Sequence, residues 1–329
     1  MSELQRVIQA RNWMKTNENF LETWHAHVGY DMDLFDSFEK GASVKEVSSS
    51  RNLSEELLER WVDVGLQVGH LTKKKKEKVK AKKKMVRYAS KASRESVGIL
   101  LSEMMELHIP TLLKYPDLIR SDERLTYLSD KFAEIVAETS TFLEKAAVSP
   151  ILKWVKQENP ASIIDFGCGY CGYLSAVHNK YPETELIGVE LSREVVEKAK
   201  ARVSQDIDVR QGDIEDFLES FEGKTDMIMA HNLLYYFKPE ERVTLFRKFA
   251  GALTKKGSVT IICPLVYAKH GGAFTTAFNT FMSAHDNLYP LPSPETIKKD
   301  AGNSGFHVAG MKPLIREGGW YLITLKKNS

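Results

Sequence analysis

The decapeptide Ile163-Ile164-Asp165-Phe166-Gly167-Cys168-Gly169-Tyr170-Cys171-Gly172 constrains the fold of this chain more than any other segment. Three glycines in G-x-G-x-x-G spacing follow an apolar strand and open a helix. Glycine lets the backbone turn tightly and approach a ligand closely, so the loop marks a βα unit of an open sheet that binds a nucleotide-like group. Alone the motif suits a nicotinamide dinucleotide as well as other groups, because Glu190, which ends the next strand, can hold ribose hydroxyls in any of them.

The rest of the second half agrees with this reading. Apolar runs at Ser162 to Phe166, Glu185 to Glu190, Ile207 to Arg210, Met227 to Ala230 and Ser258 to Cys263 alternate with helices. Those helices are signalled by Ser192 with Glu194 and Glu197, by Asp213, and by Pro239-Glu240-Glu241. Such alternation implies a parallel sheet. Phe306 to Met311 and Trp320 to Leu325 are joined without a helix, which predicts an antiparallel pair at the sheet edge.

The first half reads as mainly α. A helix that stops near Gly41, a short helix from Ser43 to Ser50, a longer helix started by Asn52, a basic turn and a short strand from Met85 to Ala89 outline a winged helix. Ser93 to Leu113 and Asp122 to Ala147 read as two long helices, punctuated by Pro110, Pro116 and Pro150. At 329 residues the chain suits two domains, and these patterns divide it into a winged-helix-like unit, 1–149, and an α/β unit, 150–329.

Composition excludes several classes. Hydrophobic residues at 43% and charged residues at 27% are those of a globular protein. Cys168, Cys171 and Cys263 are too few and too unevenly placed for a disulfide framework, which fits a reducing, cytoplasmic setting. A signal-peptide core and any apolar run of membrane-spanning length, about 18 residues, are lacking, so no membrane role is expected. Net charge is +2, yet Lys73 to Lys84 holds nine lysines and one glutamate. The basicity is therefore local, and the remainder is net acidic.

Three features separate the glycine loop from a dinucleotide site. Asp165 sits two residues before the first glycine, where dinucleotide sites take apolar packing. Asp213 follows the third strand in Gln211-Gly212-Asp213-Ile214, placed to accept from an adenine amino group. The terminal hairpin has no helix. With these, DFGCGYCG, GVELS, QGDIEDF and DMIMAHNLLYYFKPEE resemble a class I S-adenosylmethionine-dependent methyltransferase over roughly residues 150–329. The resemblance implies a seven-stranded, Rossmann-like sheet with one antiparallel strand. It also implies S-adenosyl-L-methionine as cofactor, held by the loop residues Asp165, Gly167, Gly169 and Gly172, with Glu190 on the ribose and Asp213 and Ile214 on the adenine. With the first half included, the layout is similar to small-molecule O-methyltransferases and to 2-oxo-acid C-methyltransferases. That similarity implies a homodimer in which the N-terminal unit caps the partner's pocket, and a small-molecule acceptor.

Methyl transfer is an in-line displacement at a sulfonium carbon, so a general base is needed only for some acceptors. The methyl group is expected beyond Met229-Ala230-His231-Asn232-Leu233-Leu234-Tyr235-Tyr236-Phe237. Plant-type relatives place a His-Asp pair shortly after this strand, where Tyr235 and Tyr236 stand here, so neither their phenol-deprotonating base nor the His-Asp metal site of the 2-oxo-acid branch is expected. His231, at the strand end, is the alternative catalytic candidate, and Tyr235 is a candidate for orienting acceptor or cofactor. The plainer reading of the histidine is structural, bonded to backbone groups at the strand end, and the tyrosine reads equally as a pocket wall. Leu265 to Pro292 reads as an acceptor-covering insertion, with Gly271-Gly272 as its hinge.

Other signals carry less. Cys168-x-x-Cys171 lacks a second pair, which argues against zinc and leaves both thiols facing the cofactor. The lysine run lacks aromatics and arginine, which argues against nucleic-acid readout. The competing readings are a nucleic-acid methyltransferase that uses the lysine-rich wing and a cofactor-binding regulator that contacts DNA.

Overall fold

A computed structural model describes residues 2–121, 123–127 and 129–328 of the chain. They gather into two units, Met1–Pro110 and Thr111–Ser329.

In the first unit, Ser43 and Glu46 close a reciprocal capping box on the helix Val44–Arg51. Asn52 ends that helix in the left-handed region, at φ 52°, and the next helix, Glu55–Gln67, is capped by Ser54 instead. Asparagine pays little for that conformation, which is why it reads equally well as a stop or a start. The antiparallel hairpin pairs β1 (Leu71–Lys73) with β2 (Val79–Ala81). Its second strand therefore lies inside the lysine run, where Val79 and Ala81 turn inward between outward lysines. Met85 to Ala89, expected as a strand, instead falls largely in the helix Lys83–Tyr88. Five alternating residues do not distinguish a strand from a single helical turn with one buried residue, here Met85. Phe35, Phe38, Leu58, Trp61, Val62 and Leu71 form the core of this unit.

The helix expected over Ser93 to Leu113 is broken into Ile99–Ser102, a π-turn at Glu103–His108 and Ile109–Leu113. The one expected from Asp122 to Ala147 runs Ser129–Glu158, and Asp122 lies outside the described residues. Pro150 stands inside this helix. Proline costs a hydrogen bond there, but Leu143, Ala147, Ile151 and Val155, four residues apart, are buried in the core of the second unit and hold the helix together. The division between units accordingly falls at Pro110/Thr111, ahead of the change in texture at Pro150.

The second unit is built on a seven-stranded sheet: β3 (Ser162–Phe166), β4 (Glu185–Glu190), β5 (Ile207–Gln211), β6 (Thr225–His231), β7 (Leu253–Pro264), β8 (Phe306–Ile315) and β9 (Trp320–Lys327). Their spatial order is β5-β4-β3-β6-β7-β9-β8. Pairings among β3 to β7 are parallel, and β9 runs antiparallel to both β7 and β8, as the helix-free terminal hairpin predicts. The register sets Phe166 opposite Val189 and Ala230, and Glu190 opposite Gln211, so β3, β4, β5 and β6 end along one edge of the sheet. The order reverses at β3, and the crevice at such a switch point is where α/β sheets bind ligands.

Candidate active site

The glycine loop leaves β3 at this edge. Gly167 and Cys168 both donate backbone N–H bonds to the Val189 carbonyl, at 2.8 and 3.2 Å, which ties the loop to the end of β4. Gly167 (φ 64°) is pressed on Leu233, whose Cδ2 would lie 2.7 Å from any Cβ there. Gly169 (φ 53°) has nothing within 4 Å of a Cβ position and faces open space. A tight turn and an exposed backbone are what close approach of a ligand requires.

Asp165 lies beneath this loop, only 1% exposed, and neither carboxylate oxygen has a hydrogen-bond partner. Burial, reinforced by Glu144 and Glu190, raises its carboxyl well above the usual range. Glu190 is fixed at the end of β4: Oε2 accepts from Gly169 N–H at 3.1 Å and Oε1 from Ser192 N–H at 3.0 Å. Asp213 caps the helix Ile214–Ser220, Oδ1 accepting from Glu215 N–H at 2.7 Å, with Ile214 half-buried beside it. Gly212 N–H donates to the Glu190 carbonyl at 3.0 Å and links the two strand ends. The seven residues singled out in the sequence thus share one sheet edge, at or just beyond the ends of the adjacent strands β3, β4 and β5.

The cysteines depart from expectation. Cys168 and Cys171 are buried free thiols, Sγ to Sγ 3.3 Å, packed into the core against Gly188, whose missing Cβ makes their room. They support the loop from below and do not face a ligand. As small apolar side chains they gain more from burial than from an exposed loop position. Among the described residues no group of three or more His, Cys, Asp or Glu is arranged to hold a metal ion.

At the end of β6, His231 is 6% exposed, with Nε2 3.0 Å from Thr260 Oγ1 and Nδ1 buried without a partner. Burial alone lowers its imidazole to about 3. The Tyr173 ring meets it edge-on at 4.6 Å. Asn232 follows at φ 55°, its Oδ1 accepting from Trp320 Nε1–H at 3.1 Å. Tyr235 is buried in the short 3-10 turn Leu234–Tyr236, against Phe278, which in turn packs on Trp320 at 5.6 Å. Arg242, wholly buried, secures this turn by donating from Nε to the Leu234 carbonyl (2.9 Å) and from Nη2 to the Pro290 carbonyl (2.5 Å). The end of β6, the insertion and the start of β9 therefore supply one aromatic wall.

The insertion forms the helix Gly272–Ser283, with Phe278 and Phe281 buried. Of the two glycines expected as its hinge, Gly271 is pinned, whereas Gly272 (φ 47°) has nothing within 4 Å of a Cβ position. A Cβ on Gly271 would come within 1.9 Å of Thr275 Oγ1 and 2.8 Å of the Gly319 Cα, and Thr275 Oγ1 donates to the Gly318 carbonyl at 3.0 Å. Gly271 serves close packing on the β8–β9 turn, and Gly272 supplies a left-handed backbone at the start of the helix. Glu144 beside the loop, and Tyr173, Asn232 and Trp320 at the end of β6, are neighbours that sequence reasoning missed. Gly318-Gly319 ahead of Trp320 was a signal of close approach, whereas Glu144 looks like any helix-surface acid.

Residues 163–257 match the family model described as a methyltransferase domain. The chain carries a methyltransferase domain. Malonyl-[acyl-carrier protein] O-methyltransferase from Anoxybacillus flavithermus is 34% identical over 84 residues, 25% of this chain and 28% of that protein. The chain thus matches little more than a quarter of that relative's length. Solved structures extend the likeness in fold beyond the methyltransferase domain to the whole chain. An O-methyltransferase family protein from Burkholderia thailandensis superposes with TM-score 0.80 at 18% identity, covering 100% of this chain and 99% of that one. Human N-acetylserotonin methyltransferase, solved in complex with SAM, gives 0.76 at 15% identity, covering 100% and 99%. Mitomycin 7-O-methyltransferase gives 0.77 at 16%, covering 98% and 99%.

Proposed function

We propose that the protein transfers the methyl group of S-adenosylmethionine to a small-molecule acceptor. The observation that carries this reading is Asp165, a buried acid whose two oxygens meet no protein donor at the edge of a methyltransferase sheet. Such a group is costly unless a ligand's donors complete it. The surrounding residues fit the cofactor. The open backbone at Gly169 admits it, Gly167 and Gly172 keep the loop close, Glu190 is oriented for ribose hydroxyls, and Asp213 and Ile214 suit the adenine. Bound there, the cofactor supplies a methyl group on a cationic sulfur that departs as a neutral thioether. The protein's own task is to exclude water, align the acceptor and present it in the right protonation state.

Tyr235, Phe278 and Trp320 serve as the water-excluding wall. His231, lowered to about 3, is a weak proton acceptor at neutral pH. We therefore assign it to holding the strand end through Thr260, and we favour acceptors that arrive as nucleophiles already, carboxylates or neutral amines, over phenols. The test is to incubate the protein with S-adenosylmethionine and panels of carboxylic acids, amines, phenols and 2-oxo acids, and to follow S-adenosylhomocysteine release. The expected result is turnover of a carboxylate or amine, with a rate flat between about pH 6.5 and 9 for a carboxylate. Turnover of phenols alone, rising through an ionisation that His231→Gln removes, contradicts the assignment.

We further read the protein as a cytoplasmic homodimer that does not act on nucleic acid. The three cysteines are free thiols, and among the described residues no helix is long and apolar enough to cross a membrane. The helix Glu3–Thr16 exposes Leu4, Val7, Ile8 and Met14, an apolar stripe suited to a second copy. The helix ahead of the lysine hairpin exposes Glu55, Glu56, Glu59 and Asp63, which would repel phosphates where a winged helix reads DNA. Sedimentation of the protein alone tests the dimer, and a monomer at micromolar concentration contradicts it.

A further inference from the structure

The third glycine of the loop is not required by its backbone. Gly172 lies outside the positive-φ residues, unlike Gly167 and Gly169. What a side chain would meet there is a carboxylate: a Cβ on Gly172 would fall 1.8 Å from Glu144 Oε1 and 2.2 Å from Oε2. Glu144 comes from the helix Ser129–Glu158, one turn before Ala147, and is half-buried against the loop. No hydrogen bond or ion pair is made by the Glu144 carboxylate among the described residues. Asp165, 1% exposed, leaves both its oxygens unpartnered nearby.

Two neighbouring acids screened from water, with no cation paired to either among the described residues, repel each other, which favours the protonated form of each. The carboxyls of both are raised, each chiefly by burial, and Glu144 adds to the rise at Asp165. A cation that also donates hydrogen bonds reverses this, because it offsets the charge and satisfies the empty oxygens together. A sulfonium has no N–H to give, whereas an α-ammonium has three donors.

We propose that Glu144 is a cofactor-binding residue that, paired with Asp165, seats the α-ammonium group at the amino-acid end of the cofactor. This rests on the reading of the edge as an S-adenosylmethionine site. It gives Gly172 its reason, which is to leave room for Glu144, and it adds to the site a residue outside the glycine motif. The binding couples to pH: cofactor affinity rises as the acids lose their protons.

The test is calorimetric titration of the cofactor-free full chain with S-adenosylhomocysteine and with 5′-methylthioadenosine, which has the same nucleoside but no amino-acid end. Glu144→Gln is expected to weaken S-adenosylhomocysteine at least tenfold and to leave 5′-methylthioadenosine within twofold. Equal losses for both ligands, or none for either, overturn the assignment of Glu144 while wild-type binding keeps the cofactor site intact. Failure of the wild type to bind S-adenosylhomocysteine overturns the cofactor reading and this inference with it. Magnesium or calcium binding that Glu144→Gln abolishes also overturns it, in favour of a metal ion.

Discussion

Asp165 and His231 show what burial does to single residues at this edge: the acid is pushed up and the base is pushed down, so both tend to be neutral without a ligand. For Asp165 the raised carboxyl means that ionisation at neutral pH opposes folding of the cofactor-free protein. Asp165→Asn is therefore expected to raise the melting temperature without cofactor at about pH 7.5 and to weaken S-adenosylhomocysteine at least tenfold, a trade of function for stability. A lower melting temperature with affinity unchanged contradicts this. Two histidines act in the opposite sense. His25, buried in the first unit beside His70 and stacked on Trp61, is lowered to about 3 like His231. Between about pH 6.5 and 3 the unfolded chain binds protons that these folded histidines refuse. Their contribution to stability is thus complete above about pH 6.5 and declines as pH falls, by roughly 1.4 kcal/mol per pH unit for each. Guanidinium unfolding at about pH 7.5 and pH 5 measures this, and equal stability at the two contradicts it.

At the scale of elements, the aromatic wall beyond β6 depends on two fixed joints. Arg242 ties the turn after β6 to the insertion through the carbonyls of Leu234 and Pro290. Arg242→Met removes a donor from both carbonyls and leaves that of Leu234 with only the long bond from Phe237 N–H (3.4 Å), and is expected to cost about 1–3 kcal/mol by chemical denaturation. The same variant should raise the acceptor KM more than that of the cofactor. Gly271→Ala introduces a Cβ against Thr275 and the Gly319 backbone at φ 105°, and is expected to cost more than about 1 kcal/mol. A neutral effect means that the insertion is not anchored on the β8–β9 turn. The strands of the second unit were readable because each is a local run bounded by turn residues, and the helix-free hairpin fixed the antiparallel edge. β2 was hidden because its two inward residues sit among lysines, and the helix through Pro150 because packing of Ala147, Ile151 and Val155 outweighs one lost hydrogen bond. The sheet edge proposed for the cofactor was readable from Asp165, Glu190 and Asp213 at strand ends. Glu144 and Trp320 were not, since their approach to the site is created by tertiary packing that no local spacing encodes.

At the scale of the whole molecule, charge and chemistry are segregated. The exposed lysines of the hairpin belong to the first unit, and the acids around the glycine loop belong to the second. Replacing Lys74, Lys75 and Lys76 with serine is expected to leave cofactor affinity and methyl transfer within about twofold, because these lysines are exposed and their charge is screened by salt. A collapse of turnover, accompanied by loss of binding to RNA or DNA, would transfer the activity to a nucleic-acid substrate. The central claim, that the β3–β4–β5 edge holds S-adenosylmethionine, is tested most directly by calorimetric titration of the cofactor-free protein with S-adenosylhomocysteine beside NAD. Binding of S-adenosylhomocysteine alone, weakened in Glu190→Ala and in Asp213→Ala by about 1.5–3 kcal/mol each, is the predicted result. Binding of NAD, or of neither ligand, would contradict it.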